Sequence, residues 1–419
     1  MQFKSLKIQG WRQFKDVSID FHPKITIITG SNGAGKTTLL RILSQHYGWS
    51  INLLATPKIS PENGVIKYLT GLISRITQSG SNGTNNSIGT LLYQNGVTAQ
   101  IAVPEEAGVQ YNIQIHNQQP VVGVHINSHR PIQNYQQINS IPTNAIGAEQ
   151  AYSSYFNEVM QKYQGGYTQF SPTYRMKESI ISMATFGPGN ANVQGNPALA
   201  KLLAEFKTIL SKVLPPTIGF KDISIRIPDV VLVTESGDFV IDAASGGLMS
   251  IIDLSWQIFL FSQGKDDFVV TIDEPENHLH PSMQRSILGR LVDAFPKSQF
   301  FVVTHSPFVV SSVRDSSVYA LKYTERGENV SSEFSGNQVS SIKLDLDAKA
   351  ATASEILRDV LGVPVTLPEW AEGELKSITA DFCRKPISEQ SLRDLREALD
   401  NAGLSEYLPD ALKSIASQK

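Results

Sequence analysis

Long apolar runs are scarce in this chain of 419 residues: stretches such as "FVVTI" at Phe268 to Ile272 and "FFVV" at Phe300 to Val303 are the longest. A helix that crosses a bilayer needs ~20 consecutive apolar residues, so no span through a membrane is expected. Cysteine is almost absent. The single Cys383 has no intramolecular partner, which excludes an internal disulfide and fits a reducing, cytoplasmic setting. Charge of one sign is missing too. Lys plus Arg number 36 against 39 for Asp plus Glu, so the net charge of −3 advertises neither nucleic acid nor an anionic membrane. A local basic face, and with it a nucleic acid partner, is not excluded by that total. There is no repeat of fixed period and no sustained heptad array, which excludes solenoids and long coiled-coil arms. The opening "MQFKSLKIQGWRQFKD" alternates apolar and polar residues and lacks the apolar centre of a signal peptide, so it reads as mature structure.

What is present reads as an α/β protein. Phe3, Leu6 and Ile8, then Val17, Ile19 and Phe21, mark two half-buried strands; "KITIITG" follows as a buried strand, and "GKTTLLRILSQHYG" as a helix ending near Gly48. A polar tract at Ser79 to Ser87 reads as a loop tip. The segments "GTLLYQNGVTAQIAV" and "VQYNIQIHNQQPVVGVHI" suggest antiparallel hairpins, while "AYSSYFNEVMQKY" and "PALAKLLAEFKTILSKVL" have helical spacing. Further on, the helix "LMSIIDLSWQIFLFSQ", the strand "DFVVTIDE", the helix "PSMQRSILGRLVDAF" and the strand "SQFFVVTH" alternate, which argues for a largely parallel sheet. At the C-terminal end, Thr352 and Glu355 have capping-box spacing ahead of Ile356, Leu357, Val360 and Leu361, with Gly362 as a stop. Leu392, Leu395 and Leu399 form one stripe of a last helix. The expected division is 1–145, 146–255, 256–325 and 330–419: two halves of a core around an insertion that carries helices, then a mainly helical end.

Four short stretches carry chemistry. Gly30, Ser31, Asn32, Gly33, Ala34, Gly35, Lys36 and Thr37, followed by Thr38, fit G-x-x-x-x-G-K-[ST] between a strand and a helix. Glycines let backbone N–H groups close around phosphate oxygens, Lys36 brings a charge toward the β and γ phosphates, and Thr37 can ligate Mg²⁺. A Gly-rich turn would look similar, but the flanking strand and helix argue against it. Asp273 and Glu274 close an apolar strand, where ligands of parallel sheets bind; Asp273 suits the hydration shell of Mg²⁺ and Glu274 suits a general base for water. His305 ends the next strand, which would bring it to the same edge. Ser245, Gly246 and Gly247 precede an apolar helix and could offer backbone donors to a phosphate, or be a flexible turn. His278 and His280 lack the third ligand of a zinc motif and are read as shaping the turn.

In this order, "GSNGAGKT", "ASGGL", "TIDEPENHLHP" and "VVTHSP" resemble ABC-type ATPases of the RecF, SMC and OLD-nuclease branch, AAA-family ATPases in the wider sense, and in particular the compact ATPase subunits of anti-phage systems such as Septu and PARIS. The resemblance implies a P-loop NTPase of ABC ATPase type: a mixed, mostly parallel sheet with an antiparallel β subdomain, an inserted helical lid and C-terminal helices. It assigns Lys36 and Thr37 to Walker A, Asp273 and Glu274 to Walker B, Ser245 to Gly247 to the signature, Asn277 to His280 to the D-loop and His305 to the switch histidine. Arg12 resembles a position that contacts nucleotide. ATP and Mg²⁺ are the implied ligands, and a second copy of the chain, which sandwiches ATP, the implied partner. A separate nuclease or toxin is implied as the effector that the ATPase regulates.

Departures from the family are visible as well. Ala244 and Leu248 stand where a full signature has Leu and Gln. For the Q-loop, Gln94, Gln100 and Asn127 to Pro131 remain open, and Arg130 reads equally as a nucleotide sensor or a surface ion pair. "KLDLDAK" offers Asp345 and Asp347 to an OLD-type nuclease centre, but roughly 70 further residues are too few for such a domain to bury its own core. RecF-like DNA repair and a scaffold that binds ATP without hydrolysing it are the competing functions.

Overall fold

The computed structural model describes residues 1–59, 64, 66–71, 86–104, 108–128, 134–324, 338–345, 353–357, 368–383 and 388–417. Arg130, Asp347, Thr352, Val360, Leu361, Gly362 and most of the polar tract from Ser79 lie outside them. The chain forms two compact units, Met1–Ile356 and Leu357–Lys419. The four-part division expected above cuts the first unit more finely, and its last part, 330–419, begins inside that unit, whose sheet includes Gln338–Lys343; the division is kept as a proposal.

An eleven-stranded mixed sheet organises the first unit. Its strands run in the order Gln114–His116, Thr98–Ala102, Ser87–Tyr93, Phe3–Trp11, Phe14–Asp20, Gln338–Lys343, Ser317–Thr324, Ile25–Gly30, Ser298–Val303, Phe268–Asp273 and Gly123–Ile126. The last five are mutually parallel. Every residue of Ile25–Gly30, Phe268–Asp273 and Ser298–Val303 is buried, as expected of parallel strands covered on both faces. The first five strands of that order pair antiparallel. There the burial alternates, with Leu6 opposite Ile19 and Ile8 opposite Val17 on the covered face.

One hairpin read from the sequence forms, between Ser87–Tyr93 and Thr98–Ala102. The second does not. Gln114–His116 pairs back onto Thr98–Ala102, whereas Gly123–Ile126 crosses to the far edge and pairs in parallel with Phe268–Asp273. All four residues of that strand are buried, with His125 Nδ1 2.9 Å from Thr271 Oγ1 of the neighbouring strand, so the segment is covered on both faces at the α/β end of the sheet.

The expected helices appear as Ala148–Tyr163 and Pro197–Val213, and a third, Pro172–Phe186, lies between them in sequence. Its start is local chemistry: Ser171 Oγ accepts from Tyr174 N, and Pro172 occupies a first-turn position that needs no N–H. The apolar helix Gly246–Ser262 is buried at every position from Met249 to Leu260. An amphipathic helix shows only one face to the core; this one is enclosed all round, with Phe206 edge-on to Trp256 at 4.7 Å. The segment read as one helix from Pro281 is two, Pro281–Gln284 and Ile287–Ala294.

In the second unit, the helices Glu369–Cys383, Glu389–Asn401 and Leu408–Ser417 enclose Ala371, Leu375, Leu395, Leu399, Leu404, Ala411 and Ile415. Ser388 and Ser391 form a reciprocal cap at the middle helix. Leu395 and Leu399 face inward as the stripe predicted, whereas Leu392 is exposed. No helix among the described residues is long and apolar enough to cross a membrane.

Candidate functional site

Parallel register brings the chemistry to one edge. Ile28, Val303 and Asp273 lie side by side, so Gly30, His305 and Glu274 leave the sheet together at the C-terminal ends of adjacent strands. The ladder continues past the strands, with Glu274 N donating to Val303 O at 2.9 Å and Thr304 N to Ile28 O at 3.0 Å.

The loop from Gly30 to Gly35 is shaped by glycine at two points. Gly30 has φ 147°, and a Cβ there would lie 2.5 Å from the Leu321 carbonyl oxygen; Gly35 has φ 94°, and its Cβ would meet the Phe14 ring at 2.4 Å. Neither position admits a side chain without displacing its neighbour. The helix Lys36–Ser44 then begins with Gly35 as N-cap and no side chain capping it, which leaves first-turn N–H groups for an anion. Gln13 Nε2 donates to Gly33 O at 3.2 Å and ties the loop to the first hairpin.

Lys36 is buried, and its ammonium donates to Gly30 O at 2.8 Å and Ser31 O at 2.9 Å, with His305 Nδ1 at 3.3 Å. An ammonium has no lone pair, so Nδ1 must be the acceptor and the ring proton sits on Nε2. That nitrogen lies 3.3 Å from Glu274 Oε1, and Asn277 Nδ2 donates to Glu274 Oε2 at 3.1 Å. A line of polar groups thus runs from Lys36 to Asn277, hydrogen-bonded at its two ends, Lys36 to His305 and Asn277 to Glu274, with 3.3 Å between His305 and Glu274 in the middle. Burial lowers the Lys36 pKa to about 8 against the pull of Glu274 and Asp273. Burial, followed by the Lys36 charge, also lowers that of His305, which keeps the ring neutral. Glu274 holds φ at 51°, a conformation uncommon for a residue with a side chain, at the point where its carboxylate turns toward His305.

Asp273 stands beside this line. Its Oδ2 accepts from Thr37 Oγ1 at 3.0 Å, while Oδ1 is buried with no hydrogen-bond partner among the described residues. Burial raises its pKa to about 6. A threonine hydroxyl touching a carboxylate that keeps one buried oxygen unmatched is a hard-oxygen donor set, and it fits Mg²⁺ better than any soft metal.

Glu276 was not singled out in the sequence. Its Oε1 accepts from Thr304 Oγ1 and His305 N, both at 2.7 Å, and from Ser306 N at 3.1 Å. It therefore holds the backbone that aims His305, and burial raises its pKa. The only sequence signal was a second acid two residues after Glu274.

Ser245, Gly246 and Gly247 are on a different surface feature. Ser245 Oγ accepts from Leu248 N at 3.4 Å, and the helix begins at Gly246, two residues before the sequence suggested. Ser245 and Gly246 are exposed; Gly247 is buried, and a Cβ on it would lie 2.9 Å from the His278 carbonyl oxygen. Ser250 Oγ donates to Asn277 O at 3.2 Å, so this helix start packs on the turn that follows Glu274. His280 Nδ1 accepts from Ser282 N at 3.3 Å and so caps the next turn, and His278 is exposed.

Arg12 has its guanidinium committed to Tyr111 Oη at 3.1 Å and Leu54 O at 2.9 Å, over the Trp11 and Tyr111 rings. Among the Q-loop candidates, Gln94 bonds Gln2 and Gln100 lies in the antiparallel half of the sheet. Ser128 O instead accepts from Asn277 Nδ2 at 3.1 Å, which links that segment to Glu274.

A family model described as "AAA domain" matches residues 5–63, and one described as "AAA domain, putative AbiEii toxin, Type IV TA system" matches 209–311. The Septu protein PtuA of Bacillus mycoides (strain KBAB4) is 35% identical over 89 residues, which cover 20% of this chain and 13% of that protein. The retron Ec83 probable ATPase of Escherichia coli is 44% identical over 54 residues, 13% of this chain and 10% of that one. A Septu protein PtuA of Bacillus thuringiensis is 21% identical over 376 residues, 87% of this chain and 85% of the relative. The SMC head domain from Thermotoga maritima covers 82% of this chain and 100% of its own at a TM-score of 0.43 and 14% identity. The family models bear out the resemblance read from the motifs over 5–63 and 209–311, the stretches that hold the glycine loop, the Ser245 loop, the acidic pair and His305, and the relatives carry Septu and retron names.

Proposed function

We propose that this chain binds ATP with Mg²⁺, hydrolyses it, and pairs with a second copy around the nucleotide. The observation that carries the reading is the line of polar groups Lys36, His305, Glu274, Asn277 along one strand edge, each within 3.3 Å of the next, with Thr37 and Asp273 beside it. Lys36 and the N–H groups of the glycine loop bind the phosphates; Lys36 exchanges a loop carbonyl for a phosphate oxygen. Thr37 and Asp273 hold Mg²⁺, which offsets phosphate charge. Glu274 orients water and accepts its proton at the carboxylate, and Asn277 keeps that carboxylate in place. His305, neutral and protonated on Nε2, offers a donor toward the transferred phosphoryl group once Glu274 turns to water. Ser245, Gly246 and Gly247 serve the triphosphate of the partner copy.

Regulation of a separate nuclease or toxin in defence against phage is the biological reading, supported by the named Septu and retron relatives. The test is Glu274→Gln. Loss of a general base costs typically 10²–10⁴-fold in rate, so turnover is expected to fall by about that much, with an ATP-bound pair accumulating in sedimentation velocity. Ordinary turnover by the variant would falsify the assignment.

A further inference from the structure

Lys177, on the helix Pro172–Phe186, is a lysine with a side chain 0% exposed. Its ammonium lies 2.8 Å from Asp242 Oδ2 and 3.7 Å from Asp229 Oδ1, and donates to Gln136 O at 2.6 Å, over the Tyr135 ring at 4.8 Å. The contact with Asp242 is off the hydrogen-bonding direction, so charge rather than an aligned bond holds it. Gln136 in turn accepts from Ser171 N at 2.7 Å, the start of the same helix. Asp242 sits in the turn Ile241–Ala243, three residues ahead of the exposed Ser245 that caps the next helix.

Burying such a charge costs several kcal/mol per ion, and a well-packed apolar pair in its place is often neutral or stabilising. Stability alone therefore does not account for a lysine at this point. What the ion pair does supply is register: a point charge with two carboxylates and a carbonyl around it fixes where Asp242 sits, and the next three residues carry that placement to Ser245.

We propose that Lys177 is a positioning residue: through Asp242 it fixes the Ser245–Gly246–Gly247 loop for the triphosphate held by a second copy of the chain. This rests on the reading of that loop given above. The helix Pro172–Phe186 thereby becomes part of the pairing device, although it carries no residue that touches nucleotide.

The experiment measures ATP-dependent pairing in the Glu274→Gln background by sedimentation velocity, and binding of a fluorescent ATP analogue in dilute protein. Lys177→Met is expected to weaken pairing at least tenfold while changing nucleotide affinity less than twofold; pairing at the unsubstituted level overturns the proposal. If Lys177→Met does not fold, Asp242→Asn, which keeps shape and removes the charge, takes its place with the same expectation. Lys177→Met combined with Asp242→Leu separates positioning from packing: thermal stability is expected to return while pairing stays weak, and pairing that recovers along with stability overturns the proposal. Ser245→Arg is measured alongside. If it pairs normally, the reading of the loop has failed and the proposal goes with it; if it is blocked while Lys177→Met pairs normally, the Lys177 proposal alone is lost.

Discussion

The glycine loop and the Ser245 loop are both places where a helix start could meet phosphate, yet they are built differently. Around Lys36 the polar groups converge: two loop carbonyls, His305, Glu274, Asp273 and Thr37 are held by strand ends in a buried edge. At Ser245 a single 3.4 Å cap bond and the exposed Gly246 stand at the surface ahead of the buried Gly247, with no titratable side chain among the three. On the proposed function, the first gathers the groups for binding and chemistry within one chain, and the second offers donors but nothing to activate a nucleophile. That asymmetry is what the proposed shared site requires, in which one copy would bring the reaction and the other would complete the enclosure.

Substitutions separate the two regions. After the loss of turnover expected of Glu274→Gln, the largest effect belongs to Lys36→Ala. Hydrogen bonds to charged groups are worth about 1.5–3 kcal/mol each, so nucleotide affinity should drop at least about a hundredfold by equilibrium fluorescence, and pairing should vanish with it. Ser245→Arg acts in the opposite sense. Nucleotide affinity of the single copy should stay within twofold while ATP-dependent pairing disappears, because a bulky cation enters a surface that must close on another molecule. If Ser245→Arg impairs binding in dilute protein as severely as Lys36→Ala, the two regions are one site and the comparison fails.

The sequence made the Lys36 edge readable because its chemistry is tied to particular residue types at fixed spacing: glycines at left-handed φ, a lysine at the helix start, an acidic pair closing an apolar strand. The supports were not readable. Glu276 looks like one more acid in a turn until Ser298–Val303, more than twenty residues downstream, brings Thr304, His305 and Ser306 to its Oε1. Lys177 falls in a helix where a lysine normally faces solvent; it is enclosed by Tyr135, Gln136, the strand start at Asp229 and the turn at Asp242, all distant in sequence. Gly123–Ile126 was misread as half of a hairpin because local alternation carries no information on which edge of a large sheet receives a strand. Arg12 matched a family position, but its guanidinium is committed to Tyr111 and Leu54, contacts set by the hairpin insertion rather than by the motif.

The smallest effect is a pH profile that only the Lys36 edge should show. Burial raises the Asp273 pKa to about 6 and lowers that of Lys36 to about 8. Between these values the carboxylate is free to take Mg²⁺ and the ammonium is charged. Below about 6, Asp273 must release a proton before the metal binds; above about 8, Lys36 must regain one before the phosphate does. Affinity for Mg²⁺-ATP should therefore be highest across that interval and fall on each side, with a limiting slope of about tenfold per pH unit for one proton. The nucleotide's own phosphate titrates on the acid side, so the measurement is repeated with Asp273→Asn at the same Mg²⁺, which should leave the nucleotide's contribution and remove that of Asp273. Ser245→Arg should reproduce the unsubstituted profile, since its loop has nothing to titrate. An acid limb that is the same in Asp273→Asn would remove Asp273 from the metal site, because its proton would then have no linkage to the binding of Mg²⁺-ATP.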